Sequence, residues 1–129
     1  AGGGGIPVER SDDGTLRGVE AVVDKDRAAS MMGRLVGAEL LVLLTGVDAV
    51  RVDFRKPTER PIGRVSATEI ETLAREGQFA AGSMGPKVEA SIAFVRQGGK
   101  LAIITSPALL GAALDGHAGT VVLPDEAVA

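Results

Sequence analysis

The sequence predicts an α/β protein: a three-layer αβα sandwich around a largely parallel central sheet. Three observations carry that expectation. Leu40–Leu44 and Thr120–Leu123 are strand-sized, and the continuous apolar run of Leu40–Leu44 suits a strand buried on both faces. Segments with apolar residues at helical spacing alternate with such runs, which implies parallel strands joined by helices. Aromatics make up only 2% of the 129 residues, three Phe and no Tyr or Trp. The core must therefore be built from Val, Leu, Ile, Ala and Met, a composition suited to buried strands backed by Ala-rich helices. The length fits one domain over residues 1–129.

Taken in order, residues 1–8 form a glycine-rich opening segment, and Ser11–Thr15 with its Asp-Gly pair is a turn. Val19–Val23 reads as a short strand. Asp24 is placed to cap a helix to about Leu35, with Ala28, Ala29, Met32 and Leu35 at helical spacing and Gly37 ending it. Leu40–Leu44 is the buried strand, and Val50–Phe54 alternates like a half-exposed one. Residues 55–64, with two prolines and four cations, read as an exposed loop. Ser66 and Glu69 have capping-box spacing, so a helix runs from there to about Glu76. A glycine-rich loop over 80–86 leads to a helix with Pro86 in its first turn, ending at Gly98-Gly99. Leu101–Thr105 is another buried strand, Ser106-Pro107 opens a short helix to about Asp115, and Thr120–Leu123 is the last strand.

Composition excludes several functions. A net charge of −3 leaves no electrostatic footprint for nucleic acid or an acidic membrane surface. The scarcity of aromatics removes stacking platforms for single strands. There is no cysteine, so neither disulfides nor thiolate chemistry arise, in keeping with the cytoplasm. No apolar run reaches membrane-spanning length. The opening Ala1-Gly2-Gly3-Gly4-Gly5-Ile6-Pro7-Val8, with no Met, reads as a start inside a larger protein.

Two segments stand out chemically. Asp24-Lys25-Asp26 lies at a helix start, where open α/β sheets place ligands and where helix amides favour anions. A lysine between two carboxylates exceeds what a cap requires, although a cap with a solvated lysine fits the same pattern. Gly82-Ser83-Met84-Gly85-Pro86-Lys87 allows backbone amides to turn toward a ligand, with the Lys87 cation in a first helical turn whose dipole an anion would offset. It is a candidate phosphate cradle without the GxxxxGK[ST] pattern, and an ordinary loop with a surface lysine fits it equally. Asp48 after the buried strand suits a turn, or a ribose contact. His117, the one histidine, has no catalytic or metal-ligating neighbours in sequence, and no metal-binding spacing is present.

Together these segments resemble carbamate kinases of the amino acid kinase family, and specifically their C-terminal, nucleotide-binding part. The resemblance rests on Gly2–Val8, on Gly18-Val19-Glu20-Ala21-Val22-Val23-Asp24-Lys25-Asp26, on Leu44–Val50 and Lys56-Pro57, and on Phe79-Ala80-Ala81-Gly82-Ser83-Met84-Gly85-Pro86-Lys87-Val88-Glu89-Ala90, and the closing Thr105-Ser106 and Gly119-Thr120 also fit. It covers nearly the whole chain.

The resemblance implies reversible phosphoryl transfer between ATP and carbamate, giving ADP and carbamoyl phosphate with Mg2+, often run toward ATP in arginine metabolism. It implies Lys25 and Lys87 as the cations around the transferring group and Asp26 as the acid that orients them. The nucleotide pocket would be formed by the segment from Thr45 to Lys56 and the region before Gly82, with Thr45, Gly46, Val47, Asp48, Lys56, Gly82, Ser83, Met84 and Gly85 as the holding residues. Gly3, Gly4 and Gly5 would lie on the carbamate side. The parent enzyme would be a homodimer, and this part alone would be inactive for want of the family's N-terminal half. Gly46 stands where the family commonly has Asp, Arg51 where an aromatic is common, and Arg55 where Gly often precedes Lys-Pro. A free-standing non-catalytic nucleotide-binding module and another small-acid kinase of the superfamily are the competing expectations.

Overall fold

The computed structural model describes residues 5–127. Gly3 and Gly4 lie outside that range. The chain opens with an antiparallel hairpin of β1 (Val8–Arg10) and β2 (Leu16–Gly18). Gly14, at φ +86°, permits the left-handed step that closes its loop. The predicted strand Val19–Val23 does not form. The turn brings the residues immediately flanking it into register, so pairing uses Leu16–Gly18 instead. Beyond Val19, whose N–H still reaches the Pro7 carbonyl at 3.0 Å, the chain leaves the hairpin with Val22 fully exposed.

Helix α1 (Lys25–Leu35) starts where expected. Asp24 Oδ1 accepts from the Asp26 and Arg27 amides at 3.0 and 2.8 Å. Gly37, at φ +67°, turns the chain into β3 (Leu40–Leu44), which is buried on the face of Leu41 and Leu43 only. The expected burial on both faces does not occur, because β3 is the edge of its sheet and Leu40 and Leu44 are exposed. The predicted strand Val50–Phe54 is shorter: β4 is Arg51–Val52, because Asp53 and Arg55 take left-handed conformations at φ 52° and 64°. The predicted loop 55–64 contains β5 (Arg60–Pro61), paired antiparallel to β4, and ends in the first residue of β6 (Arg64–Ser66). Helix α2 (Ala67–Arg75) begins with the full capping box: the Ser66 hydroxyl accepts from the Glu69 amide, and Glu69 accepts from the Ser66 amide. Helix α3 (Met84–Arg96), β7 (Leu101–Thr105), a 3-10 turn at Pro107–Leu109, α4 (Leu110–Leu114) and β8 (Thr120–Leu123) complete the order.

The central sheet runs β3-β7-β8-β6. The β3–β7 and β6–β8 pairings are parallel, whereas β7–β8 is antiparallel. Alternation along β7 and β8 divides the core. Ala102, Ile104 and Val122 join Leu41, Leu43, Ile70, Val88 and Phe94 on the side of α1, α2 and α3. Ile103, Val121 and Leu123 pack with Ala113 of α4 on the other. The three expected layers are thus present but unequal. Among the described residues no helix is long and apolar enough to cross a membrane.

The Phe94 ring is the largest fully buried side chain and is wedged between two glycines. A Cβ on Gly33 of α1 would come within 2.8 Å of the ring, and one on Gly99 within 2.2 Å. Gly98, at φ +102°, is the residue that turns the chain after α3; Gly99 makes room. Overpacking such a site typically costs about 1–3 kcal/mol. We therefore expect Gly99→Ala to lower the urea midpoint of unfolding by that equivalent, while Gly111→Ala, in helix α4 with nothing within 4 Å of the added carbon, leaves it unchanged or slightly raises it.

Three carboxylates that hold helix starts are kept below their ordinary range, each chiefly by a backbone N–H: Asp24 by Arg27, Glu69 by Ser66, and Asp125 by Thr68. A carboxyl whose folded value lies below its unfolded one contributes fully above the unfolded value and loses that contribution as pH falls through the folded one. The thermal midpoint should therefore hold near neutrality and decline once pH drops below the ordinary values of 4.5 for Glu and 3.8 for Asp. In a pH series of melting curves, Glu69→Gln should show a smaller acid decline than the parent.

Candidate functional site

Short connections decide which ends of the elements meet. Helix α1 passes through Gly37 into β3, and α3 passes through Gly98-Gly99 into β7, so each helix runs antiparallel to the strand that follows it. Because β3 and β7 are parallel neighbours, both helix N-termini and both strand C-termini gather at one sheet edge. Asp24-Lys25-Asp26, Thr45-Gly46, Ser83–Lys87 and Ser106 therefore share that edge, where open α/β sheets bind ligands.

At its centre is a buried ion pair. Lys87 Nζ donates to Asp26 Oδ2 at 2.9 Å, and the two residues are 7% and 5% exposed. Lys25 Nζ, largely exposed, stands 3.8 Å from the same oxygen. The two sequence-predicted cations thus meet on one carboxylate across 61 residues of chain. An ammonium has three N–H groups. One serves Asp26, which leaves Lys87 with donor capacity toward an anion at the edge.

At the same edge, with none of Lys25, Asp26 and Lys87 in its lining, lies a cleft of about 310 Å³, lined by Thr45, Gly46, Val47, Ser83 and Met84 together with Ala49, Arg51, Phe54, Gln78, Phe79 and Ala80. Lys25 and Asp26 line a separate cavity with Ala29, Met32 and Leu43. The β4–β5 wall of the cleft is held in three ways. Thr120, fully buried, donates to the Ile62 carbonyl at 2.6 Å and accepts from the Val50 amide at 2.9 Å. Gln78 Oε1 accepts from the Asp53 amide at 2.8 Å. The Asp53 carboxylate receives Lys56 Nζ at 3.1 Å and Thr58 Oγ1 at 3.0 Å, which hold its pKa below the ordinary value.

Of the predicted nucleotide residues, Thr45, Gly46, Val47, Ser83 and Met84 line the cleft; Asp48, Lys56, Gly82 and Gly85 do not. Asp48 serves the turn, its carbonyl accepting from Thr105 Oγ1 at 3.2 Å. Lys56 is committed to Asp53. Gly85 is needed for closeness, since a Cβ there would stand 3.2 Å from the Ala80 carbonyl oxygen. That oxygen already accepts the Ser83 and Gly85 amides at 3.2 and 2.9 Å, and Pro86 has no N–H. The expected amide cradle is therefore thinner than the glycines imply. Gly5, at the start of the described range, is exposed. Ala49 and Gln78 also line the cleft; they fall in the Thr45–Lys56 segment and the region before Gly82 that the resemblance implies, and the Gln78 bond to the Asp53 amide ties the two together. Among the described residues no three acidic or histidine side chains cluster to hold a metal ion.

Sheet order and the gathered strand and helix ends define an α/β domain with a ligand-binding edge, and the chain belongs to the amino acid kinase family, whose model matches residues 2–106. Within that family it is similar to carbamate kinases. It is 50% identical to the carbamate kinase of Thermoplasma volcanium over 123 residues, 95% of this chain and 40% of that one. It is 46% identical to the carbamate kinase-like protein YahI of Escherichia coli, over 95% of this chain and 39% of that one. The structure of carbamate kinase from Giardia lamblia bound to AMP-PNP superposes with a TM-score of 0.90 at 42% identity, covering 95% of this chain and 42% of that one. The chain therefore spans about two fifths of the length of these relatives.

Breaking a buried ion pair from one side costs roughly 3–5 kcal/mol, whereas replacing both partners by apolar groups is often neutral. We expect Asp26→Leu alone to destabilise the chain by that amount in urea unfolding, and Asp26→Leu with Lys87→Met to recover most of the loss. Failure of the double variant to recover would show that the edge needs the charges for its own folding.

Proposed function

We propose that this chain carries the C-terminal, nucleotide-binding part of a carbamate kinase, which transfers a phosphoryl group reversibly between ATP and carbamate. The observation that carries the reading is the buried Lys87–Asp26 pair, with Lys25 on the same carboxylate, at the same ligand-binding edge as an apolar cleft. Phosphoryl transfer asks for in-line positioning and neutralisation of charge more than for covalent chemistry. Lys87 and Lys25 would meet the oxygens of the transferring group. Asp26 offsets the repulsion between two ammonium groups and fixes the direction of Lys87. Val47, Phe54, Phe79 and Met84 offer the base an apolar surface, and the cleft volume is at the small end of the range for ligand sites. Mg2+ would arrive as the complex of the nucleotide's phosphates, the usual mode for that ion. The family resemblance and the lack of cysteine support a cytoplasmic enzyme, and the resemblance alone supports a homodimer.

Calorimetric titration of the chain with ADP and with AMP-PNP tests the nucleotide reading, which no binding at millimolar nucleotide would overturn. Because the chain spans two fifths of its relatives' length, we expect the 129 residues alone to form no ATP from ADP and carbamoyl phosphate. Steady ATP formation would overturn that part.

In a full-length enzyme containing this segment, Lys87→Ala should lower kcat by about a hundredfold or more, with a smaller change in the KM for ADP. Near-normal turnover would leave Lys87 a structural residue. Assaying carbamate against acetylglutamate and aspartate separates this activity from that of another small-acid kinase.

A further inference from the structure

We infer that Ser106 is a phosphate-binding residue of this edge, its hydroxyl donating to a phosphoryl oxygen of the nucleotide. The inference rests on the nucleotide reading above and adds a contact to it. Ser106 is 8% exposed, and its Oγ is the one buried side-chain polar atom among the described residues with no hydrogen-bond partner. Buried hydroxyls are nearly always paired, so an orphan calls for an explanation. A capping role does not supply one. Ser106 stands at the N-cap of the Pro107–Leu109 turn, yet its side chain makes no cap hydrogen bond.

Its position supplies the explanation. Ser106 is extended, at φ −82° and ψ 154°, so the alternation of β7 continues through it. Ala102 and Ile104 belong to the core under α1, α2 and α3, and Ser106 falls on that same face. The neighbouring strand does likewise. Thr45 N–H donates to the Thr105 carbonyl at 2.9 Å, carrying the parallel ladder one step past β3, and Thr45 shares the face of Leu41 and Leu43. Thr45 lines the cleft. The two hydroxyl residues therefore end adjacent strands on the face where α1 and α3 begin.

Of the charged groups at this edge, Asp24 caps α1 and Asp26 is paired with Lys87, and the cations favour an anion. Lys87 and Lys25 lie at this edge, and the first turn of α3 holds no acidic residue. The amides of Ser83 and Gly85 are used by Ala80, so the backbone provides fewer donors than a phosphate accepts. A hydroxyl with no partner in the protein makes up part of that shortfall.

The structural and binding roles move stability and affinity in opposite directions, which makes Ser106→Ala decisive. The experiment measures the thermal midpoint of the ligand-free chain, and the Kd of ADP with magnesium and of adenosine by calorimetry, for parent and variant. We expect an unchanged or raised midpoint, because the substitution removes an unpaired buried oxygen. We expect ADP to bind about tenfold or more weaker, as for loss of a hydrogen bond to a charged group, and adenosine, which has no phosphate, to bind equally. A lowered ligand-free midpoint would overturn the inference by showing that the hydroxyl has a partner within the fold. Equal ADP affinity in parent and variant would overturn it while leaving the nucleotide reading intact. A parent chain that binds neither ligand would overturn both.

Discussion

The site depends on one ion pair between two helices that are far apart in sequence. Asp26 of α1 and Lys87 of α3 are nearly out of water, 2.9 Å apart. Taking both charges from solvent costs several kcal/mol per ion before their attraction offsets it. Apolar residues would hold α1 against α3 with less trouble. The charges therefore make most sense as equipment of the edge: a cation whose direction is fixed by a carboxylate that is itself fixed at a helix start. The position of Lys25 on the same oxygen agrees, since it adds an ammonium where none is needed for packing.

The cleft at the same edge is built by less visible means. Its β4–β5 wall has little core of its own and depends on the buried Thr120 hydroxyl, which satisfies an amide before the hairpin and a carbonyl after it. Gln78 reaches from beyond α2 to hold the Asp53 amide at the tip. Two left-handed residues, Asp53 and Arg55, bracket Phe54 and leave its ring half-exposed at the cleft with the Arg55 guanidinium 5.3 Å above it. The wall is thus clipped to the domain at its base and at its tip, and the aromatic surface between them is presented by strained backbone.

What the sequence revealed and concealed follows from the range of each interaction. The capping box from Ser66 to Glu69 was legible because both partners lie within four residues. Leu101–Thr105 was legible because burial on both faces leaves an unbroken apolar run, and Leu40–Leu44 carries the same run although, as the edge strand, it buries only the face of Leu41 and Leu43. Val19–Val23 misled because a β-branched run records propensity, whereas the register of a hairpin is set by its turn. β5 and the start of β6 were hidden because a short edge strand tolerates the Arg and Pro that otherwise mark a loop. Lys25, Asp26 and Lys87 were singled out as chemistry, but their meeting needed the parallel order of β3 and β7, which no local pattern encodes. Ser106 fitted the family resemblance and a helix start, but its unpaired hydroxyl was not legible, since that is a property of its surroundings.

The glycine-flanked Phe94 has a consequence for the cations two turns away. Asp26 and Gly33 are seven residues apart on α1, and Lys87 and Phe94 are seven apart on α3. Seven residues is about two helical turns, or roughly 10 Å, and returns to nearly the same helix face. The two helices are therefore joined by two rungs, one ionic at the ligand edge and one steric toward the far end of the sheet. A ring lodged against Gly33 on one side and Gly99 on the other cannot slide, so α1 and α3 behave as one rigid frame. The ammonium of Lys87 then waits in a place dictated by an aromatic side chain that no ligand touches. An anion arriving at such an edge would find it already shaped, and any closing over it would have to come from elements outside this frame.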